Sequence, residues 1–387
     1  MTHLLQGGGF PVLDPASPDL YETYQSHQPP AFYLLAAGWC KITGASDLND
    51  ADSGKRLRYL NALIGGLDVL AVFALGFWGF KRPEVGAVAA AFAALLPMNV
   101  ALSGAVSNDP LLFLLCTAAL AVCALGLQQG WTVKRCLAVG VLAGLALLTK
   151  TTAVALLPAL LVAALAAGEG RPKLAGWLAA LVPAIVLVLP WWIRNQALYG
   201  DPLAMHAFRS AFPGSAQAQT FIALDGPVGY WLGWVGWWTV RSFFGAFGYM
   251  DIWLNETGMP RGGAQNALYR VLICLSVLAF LGWLMSWKKG GDGRVKQVQS
   301  VNLTFAVFVL LFFISFNMQY FQAQARYVLP AIGPISCGFA LGTLALLRER
   351  WVAALAAIVL VFGGTSVYAG LRLPGEFERR TESTLPM

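Results

Sequence analysis

Long apolar segments recur along almost the whole chain, and this pattern constrains the fold more than any other feature of the sequence. The segments are about 15 to 25 residues long, which matches the roughly 20 residues that a helix needs to cross a bilayer. Of the 387 residues, 58% are hydrophobic and 12% are charged, whereas a soluble globular chain has about 25% charged residues. The sequence therefore predicts one all-α, polytopic membrane protein and excludes a soluble fold.

Ten transmembrane helices are predicted from these runs. They lie at 57–80, 85–104, 110–128, 135–148, 151–167, 174–193, 266–287, 301–320, 327–347 and 351–371. The apolar stretch 29–44 is under about 24 Å long as a helix, less than a hydrocarbon core of about 30 Å, so we expect an interfacial helix there. The predicted organisation is an outer-face segment 1–56, transmembrane helices 57–193, an outer loop 194–265, transmembrane helices 266–371 and a tail 372–387.

Charged residues divide unequally between the two sides of the predicted bundle. The loops 81–84, 134–135, 169–173, 288–296 and 348–350 hold twelve Lys or Arg and four Asp or Glu. The short loops on the other side hold only Lys150 and Arg326 as basic residues. By the positive-inside rule the basic loops are cytoplasmic and the other loops face outward. The net charge of +7 thus reflects membrane topology, and no nucleic-acid partner is expected.

The start of the chain does not fit this topology easily. Residues 1–56 are predicted to lie outside, yet Met1 to Asp14 has neither the basic nor the apolar region of a signal peptide. We therefore expect a first transmembrane helix upstream of Met1, which an in-frame apolar stretch in the DNA would reveal.

Polar clusters on the predicted outer side provide the candidate site. Residues 27–30 lead into the interfacial helix, residues 107–110 form a turn, and Lys150 lies in a very short loop. Pro30 fits the first turn of a helix, and a lysine at the interface suits an anionic phosphate. Each cluster also has a structural explanation, as a polar helix cap, a tight turn and a snorkelling lysine.

Aromatic and basic residues mark the remaining outer clusters. Residues 190–202 combine a Trp pair with Arg194 and Asn195, and residues 322–330 include Arg326. Arg has the best shape for bidentate phosphate contact. A third cluster, 230–253, has Trp residues spaced as on one helical face, which predicts an amphipathic helix in the membrane plane.

In order along the chain, these motifs resemble those of GT-C superfamily membrane glycosyltransferases. That superfamily includes the protein O-mannosyltransferases, the aminoarabinose transferase of lipid A and a related family of bacterial multi-pass proteins. The resemblance covers residues 10–350 and rests on the segments 27–33, 56–58, 107–109, 148–151, 190–195, 199–202, 243–251 and 325–330. It implies a GT-C-like bundle with interfacial helices on the outer face.

The resemblance also implies a reaction and a location. A sugar would pass from a polyprenyl-phosphate donor to a glycan, lipid or protein acceptor of the cell envelope, at the outward face of the bacterial inner membrane. Membrane lipid is a further expected partner. Such chemistry needs cations for the departing phosphate and a carboxylate for the acceptor proton. No cofactor is specified, a divalent metal ion is compatible with the reaction, and the six cysteines lack the spacing of a metal or disulfide site.

The candidate residues fall into three groups. The catalytic candidates are Asp109, Asp201, Asp251 and Glu22. The candidates for donor-phosphate binding are Arg326, Lys150, Arg194 and Arg58, with Arg326 ranked first because it is a lone Arg at the start of an apolar helix. The candidates for substrate binding are His27, Gln28, Asn108, Asn195, Arg241 and Tyr327. In the superfamily the main acidic residue follows the first transmembrane helix, so the resemblance places it upstream of Met1.

Two other functions stay open at this point. Asp68 lies about eleven residues into the first predicted span, where a carboxylate is costly and usually functional. It favours a transporter or lipid flippase, although the sequence has no convincing internal repeat of the kind that many transporters show. A non-catalytic remnant is the third reading, favoured by the expected loss of an N-terminal helix.

Overall fold

Helices make up nearly all of the regular structure. A computed structural model describes residues 2–18, 20–45, 50–167, 172–211, 214–248, 250–254, 267–288 and 292–384, with the side chains of residues 2, 21, 22 and 380–384 excepted. The helices in this part are α1 (Thr2–Leu5), α2 (Leu20–Thr23), α3 (Ala31–Thr43), α4 (Ala51–Phe80), α5 (Pro83–Leu95), α6 (Pro97–Gly104), α7 (Asp109–Gln129), α8 (Val133–Leu147), α9 (Leu156–Ala166), α10 (Leu174–Tyr199), α11 (Met205–Ala211), α12 (Ala218–Val228), α13 (Trp237–Gly245), α14 (Ala267–Lys288), α15 (Gly293–Asn317), α16 (Ile332–Leu346), α17 (Trp351–Ile358) and α18 (Gly364–Thr384).

Shorter elements join several of these helices. They are 3₁₀ helices at Thr151–Ala155, Ala325–Tyr327 and Leu329–Ala331, π-helical turns at Gly229–Gly236 and Val359–Gly363, and strands β1 (Ala246–Phe247) and β2 (Ile252–Trp253). The two strands pair antiparallel, with Ala246 opposite Trp253. The structure is thus a helical bundle with one small hairpin.

Among the described residues, seven helices are long and apolar enough to cross a membrane. They are Ala51–Phe80, Asp109–Gln129, Leu174–Tyr199, Ala267–Lys288, Gly293–Asn317, Leu329–Leu346 and Trp351–Arg379. The bent pair α5 and α6 makes an eighth if both halves form one span. The prediction of an all-α polytopic membrane fold is confirmed. The predicted spans 135–148 and 151–167 correspond to α8, of 15 residues, and to the shorter apolar helix Thr151–Ala166.

The predicted span 85–104 is not a straight helix. It bends by 64° between α5 and α6, where Leu96 adopts an extended conformation with ψ 116° ahead of Pro97. The ring of a proline disfavours the helical conformation in the residue before it, which explains the break. Leu95 and Pro97 are both apolar, so the hydrophobic run continues across Leu96 although the helix breaks there.

Several helices extend beyond their predicted bounds, including α4, α10, α15 and α18. α15 begins at Gly293 rather than at 301, because its polar first turns are helical as well. α18 continues past 371 to Thr384, through the predicted tail. There the Arg372 guanidinium donates to the Trp253 carbonyl at 3.1 Å and pairs with Glu376. The start of the predicted tail therefore packs against the β hairpin.

The aromatic segment after residue 229 combines two helical forms. The π-helical turns Gly229–Gly236 continue directly into α13. Trp234 and Trp238 lie on one side and both contact the ring of Phe321, at centroid distances of 5.7 and 5.9 Å. The predicted Trp stripe thus packs against the segment that follows α15.

Small residues let two helix pairs approach closely. A Cβ atom added to Gly140 on α8 would lie 2.1 Å from the carbonyl oxygen of Ala180 on α10. A Cβ atom on Gly342 of α16 would lie 1.8 Å from the carbonyl oxygen of Ala279 on α14. Such small-residue contacts are typical of helix packing in membranes. Larger side chains at these two positions are therefore incompatible with the packing.

The loops predicted to be cytoplasmic meet at one end of the bundle, which we call the basic end. Arg82 pairs with Glu349 at 2.6 Å, and Lys81 pairs with Asp292 at 3.7 Å. Arg294 donates to the carbonyl of Gln128, near the last residue of α7, at 2.7 Å. The first residue of α7 is Asp109, so the start of this helix lies at the opposite end.

Candidate functional site

Three charged side chains from separate parts of the chain meet at the end opposite the basic loops. The Lys150 ammonium donates to Asp109 Oδ1 at 2.7 Å, and Arg326 Nε lies 3.1 Å from Asp109 Oδ2. Asp109 is fully buried, whereas the side chains of Lys150 and Arg326 are 13% and 35% exposed. We call these three residues the charge cluster. It unites two of the predicted phosphate ligands with one predicted catalytic acid.

Local backbone structure explains how each residue reaches the cluster. Asp109 is the first residue of α7 and precedes a proline, a combination that favours a helix start, and its negative charge suits the positive end of the helix dipole. Lys150 is extended between α8 and the 3₁₀ helix Thr151–Ala155. Arg326 lies in the 3₁₀ helix that leads towards α16. All three therefore occupy helix ends rather than helix interiors.

The cluster carries one more positive than negative charge. The attraction of Asp109 raises the pKa of Arg326 above its ordinary value, so the guanidinium remains charged. The ring of Tyr327 lies 5.4 Å from the Lys150 ammonium and 5.5 Å from the Arg326 guanidinium carbon. A partly exposed site with excess positive charge next to an aromatic ring is suited to an anion.

A hydrogen-bond network connects the predicted substrate residues to this cluster. The Asn108 side chain donates to Gln28 Oε1 at 2.6 Å and to the Thr149 carbonyl at 3.2 Å. The Tyr33 hydroxyl also donates to Gln28 Oε1, at 3.3 Å. Burial, and to a smaller extent nearby negative charge, raises the pKa of Tyr33, which keeps its hydroxyl protonated as a donor. Gln28 and Asn108 therefore join the residues that precede Asp109 and Lys150.

His27 lies beside this network in a neutral form. Its Nδ1 is 2.9 Å from the Tyr24 carbonyl, and its ring lies 5.2 Å from the ring of Phe208. Burial lowers the pKa of His27, and the Tyr24 carbonyl offsets part of that effect. An uncharged imidazole adds no further positive charge next to the cluster.

The side chains of Arg194 and Asn195 bind backbone carbonyl groups near the end of α10. Arg194 donates to the Pro11 carbonyl at 2.8 Å, and its guanidinium carbon lies 4.6 Å from the Trp191 ring. The Asn195 amide donates to the Pro202 carbonyl at 3.1 Å. These contacts hold the N-terminal segment and the turn after α10, and the structure does not bring either residue to the charge cluster.

Asp201 has the geometry of a helix cap. Its carboxylate accepts from the backbone N–H groups of Leu203 at 2.9 Å, Met205 at 2.7 Å and His206 at 3.4 Å. Burial opposes ionisation, but the three donors together outweigh it and keep the pKa of Asp201 below its usual range. Both oxygens therefore stabilise the start of α11, and a catalytic role for Asp201 stays a prediction without geometric support.

Comparison with known proteins agrees with the helical bundle. A family model described as dolichyl-phosphate-mannose-protein mannosyltransferase matches residues 27–193, which include Asp109 and Lys150. The apo oligosaccharyltransferase of Archaeoglobus fulgidus superimposes with a TM-score of 0.54 at 16% identity, over 89% of this chain and 47% of that one. The chain is thus similar in fold to this oligosaccharyltransferase.

Two further GT-C structures share the fold. ArnT from Cupriavidus metallidurans, bound to undecaprenyl phosphate, has a TM-score of 0.52 at 15% identity, over 87% of this chain and 53% of that chain. AglB from A. fulgidus, in complex with an inhibitory peptide and a dolichol-phosphate, has a TM-score of 0.52 at 15% identity, over 89% and 47%. This chain thus spans about half the length of the solved structures that it matches. No curated protein sequence matches it. The chain is an integral, multi-pass membrane protein.

Of four further predicted residues, three lie apart from the charge cluster, and the side chain of the fourth is not described by the structure. Arg58 is exposed on α4, and Asp251 is exposed between the two strands. Arg241 stacks on the Trp237 ring at 3.8 Å. The side chain of Glu22 is outside the described residues, so its predicted role is not addressed by geometry.

Two buried polar residues, Ser242 and Asn61, support the site and are not among the predicted site residues. The Ser242 hydroxyl accepts from the N–H of Ala325, directly before Arg326, at 2.9 Å. The Asn61 amide donates to the Ser107 carbonyl at 2.8 Å, just ahead of Asn108. An Asn inside a predicted span is a visible signal in the sequence. Nothing near Ser242 in the sequence reveals its distant partner.

The remaining features considered from the sequence are Asp68 and the binding of a metal ion. Asp68 is 1% exposed on α4 and faces the Thr117 hydroxyl of α7. Its surroundings are those of an enclosed helix contact. In the part of the chain that the structure describes, no three or more His, Cys, Asp or Glu residues group together as a metal site would require.

Proposed function

We propose that this chain transfers a sugar from a polyprenyl-phosphate donor to a cell-envelope acceptor, with the donor phosphate bound by Lys150 and Arg326. The observation that carries the proposal is the charge cluster, in which two cations from different helix ends share one buried carboxylate. A GT-C fold whose solved relatives include ArnT bound to undecaprenyl phosphate supports the same class of ligand.

The geometry of the cations suits a phosphate group. Arg326 lies near Asp109 through its Nε, and we assign its two terminal nitrogens to donation to two phosphate oxygens. Lys150 adds a compact charge on the other oxygen of the carboxylate. Planar, two-point donation by Arg combined with a point charge from Lys is a common way to bind phosphate.

These contacts would assist the chemical step by stabilising the leaving group. In the transfer, the bond between the anomeric carbon and the phosphate oxygen breaks, and a bond from that carbon to the acceptor oxygen forms. The sugar has oxocarbenium character in the transition state, as in other glycosyl transfers. Negative charge accumulates on the departing polyprenyl phosphate, where fixed cations are most effective.

We assign Asp109 to holding the two cations rather than to proton transfer. Lys150 occupies one of its oxygens, Arg326 faces the other, and the carboxylate is fully buried. The acceptor proton then needs another carboxylate. Glu22 and Asp251 are the predicted acids to test for this role.

The side of the membrane follows from the distribution of charge. The cluster lies at the end of α7 opposite the basic end, where Arg82, Glu349 and Arg294 meet. Because the basic end is cytoplasmic by the positive-inside rule, the cluster would face outward. The proposed acceptor is accordingly a glycan, lipid or protein of the envelope of a bacterium, reached from the inner membrane.

A transfer assay tests the proposal. Purified protein in detergent is incubated with a panel of polyprenyl-phosphate sugars and membrane extract as acceptor, and released polyprenyl phosphate is measured. We expect release with at least one donor, loss of release in Arg326→Ala, and retention in the control Arg348→Ala, since Arg348 is exposed at the basic end. Full turnover in Arg326→Ala, or no release with any donor, contradicts the proposal.

A further inference from the structure

A cavity of about 220 Å³ lies between α14, α15 and α16. We call it the basic-end pocket, because Phe80, the last residue of α4 before the Lys81 loop, forms part of its wall. The residues used below that line it are Phe280, Trp283, Gln299, Asn302, Leu303 and Gly338.

The pocket opens sideways towards the membrane. Phe280 on α14 and Leu303 on α15 line it and are themselves exposed on the outside of the bundle. Trp283 lies 5.3 Å from Trp287, one turn nearer the end of α14. Trp residues are enriched where the hydrocarbon core meets the lipid headgroups, so the pocket is accessible from that level of the bilayer.

Two buried amide side chains on α15 are polar groups in the lining of this otherwise apolar pocket. Gln299 and Asn302 are three residues apart, which places them on one helix face, and they are 6% and 7% exposed. Among the described residues, neither side chain forms a hydrogen bond. Amide N–H groups that stay unpaired in an apolar pocket are costly. A ligand with hydrogen-bond acceptors at this depth would pair with these N–H groups.

The position of the two amides along α15 indicates which polar groups of a ligand they would bind. The helix changes here from a polar first part, Arg294–Gln299, to an apolar run that begins at Val301. This is the boundary at which the ester groups of a glycerophospholipid lie. Lys288 at the end of α14 and Lys296 on α15 are both exposed just beyond it. Basic residues at this level attract anionic headgroups.

We propose that the basic-end pocket is a binding site for an anionic glycerophospholipid. One acyl chain occupies the pocket, the ester groups bind the amides of Gln299 and Asn302, and the phosphate lies near Lys288 and Lys296. The site is separate from the charge cluster and does not depend on the proposed sugar transfer.

Native mass spectrometry of the full chain in detergent tests this proposal. The protein is titrated with phosphatidylglycerol or phosphatidylcholine, and the population with one bound lipid is measured. We expect phosphatidylglycerol to bind at least about fivefold more tightly than phosphatidylcholine, since each charged contact adds modestly to affinity. Equal binding of the two lipids overturns the proposal.

A matched pair of variants tests whether the lipid binds in the basic-end pocket. A Cβ atom at Gly338 meets no atom within 4 Å and would extend into the pocket, and Gly66 on the exposed face of α4 is equally open. We expect Gly338→Leu to lower phosphatidylglycerol binding about tenfold by loss of the buried chain contact, and Gly66→Leu to leave it unchanged. Equal effects of the two variants, or no effect of Gly338→Leu, contradict the proposal.

A second variant keeps the test decisive if Gly338→Leu does not fold. Asn302→Leu retains the volume of the side chain and removes the amide, so it should weaken binding about fivefold through the lost hydrogen bond. Unchanged binding in this variant overturns the assignment of the amides. Undecaprenyl phosphate is added as a competitor, and one-for-one displacement of phosphatidylglycerol by it would contradict a glycerophospholipid site.

Discussion

The two ends of the bundle contain ion pairs of nearly the same length in very different surroundings. At the basic end Arg82 lies 2.6 Å from Glu349, and both side chains are partly exposed. At the opposite end Lys150 lies 2.7 Å from Asp109, which is fully buried. Exposed pairs contribute about 0–1 kcal/mol to stability, whereas removing one partner from a buried pair costs about 3–5 kcal/mol.

This difference in burial indicates different roles for the two ends of the bundle. The pairs of the basic end connect loops whose positive charge already sets the membrane topology. The charge cluster is not needed for topology, since its own loops hold few basic residues. A buried carboxylate with two cations is expensive to desolvate, and we attribute its presence to the binding of an anionic substrate.

The largest effect is expected from Asp109→Ala, which removes the buried carboxylate of the charge cluster. Removing the carboxylate leaves Lys150 and Arg326 next to each other without their shared partner. We expect a loss of about 3–5 kcal/mol of stability, measured by thermal unfolding in detergent. A change as small as that of an exposed pair would contradict the assigned structural role.

A large effect on activity is expected from Lys150→Ala. The variant keeps the pair between Arg326 and Asp109 but removes one proposed phosphate contact. Release of polyprenyl phosphate should fall about 100-fold or more, the usual cost of losing one donor to a developing negative charge. Lys150→Arg should recover part of the rate because it restores the charge. Equal rates for Lys150→Ala and the wild type would remove Lys150 from the proposed site.

A smaller effect is expected on the pH dependence of stability, through His27 beside the charge cluster. Its pKa is lowered by burial, so the unfolded chain takes up a proton at a higher pH than the folded chain. Stability should be constant above the ordinary value of about 6.5 and should decrease as the pH drops from there through the lowered pKa. His27→Gln should abolish this dependence near pH 6 in unfolding measurements, and an unchanged profile would argue against it.

The smallest effect is expected from Glu349→Ala at the basic end. Its partner Arg82 keeps a second contact with Glu84 at 2.7 Å. Stability should change by less than about 0.5 kcal/mol, and transfer activity should be the same as in the wild type. A loss similar to that of Asp109→Ala would show that the two ends do not differ as described.

The sequence predicts the membrane helices well because span length and hydrophobicity are local properties. The predicted start of one span at 174 coincides with the start of α10. The bend at Leu96 was missed because its apolar neighbours hide a backbone break. The early start of α15 at Gly293 was missed because a helix continues beyond the apolar run that signals the membrane.

The site was predicted as a set of residues, but its internal contacts were not. Asp109, Lys150 and Arg326 were each identified by residue type and position, while the pairing of Asp109 with Lys150 joins residues 41 positions apart. Such a contact depends on how α7 and α8 pack. The cap formed by Asp201 likewise depends on the turn before α11. Burial and pairing are properties of the folded chain that residue type alone does not specify.

A structure of the protein with undecaprenyl phosphate tests the central claim most directly. We predict that the phosphate oxygens lie within hydrogen-bonding distance, about 3 Å, of the Lys150 ammonium and the terminal nitrogens of Arg326. The carboxylate of Asp109 should remain in contact with both cations. A phosphate bound elsewhere, with Lys150 and Arg326 still turned only towards Asp109, would contradict the account.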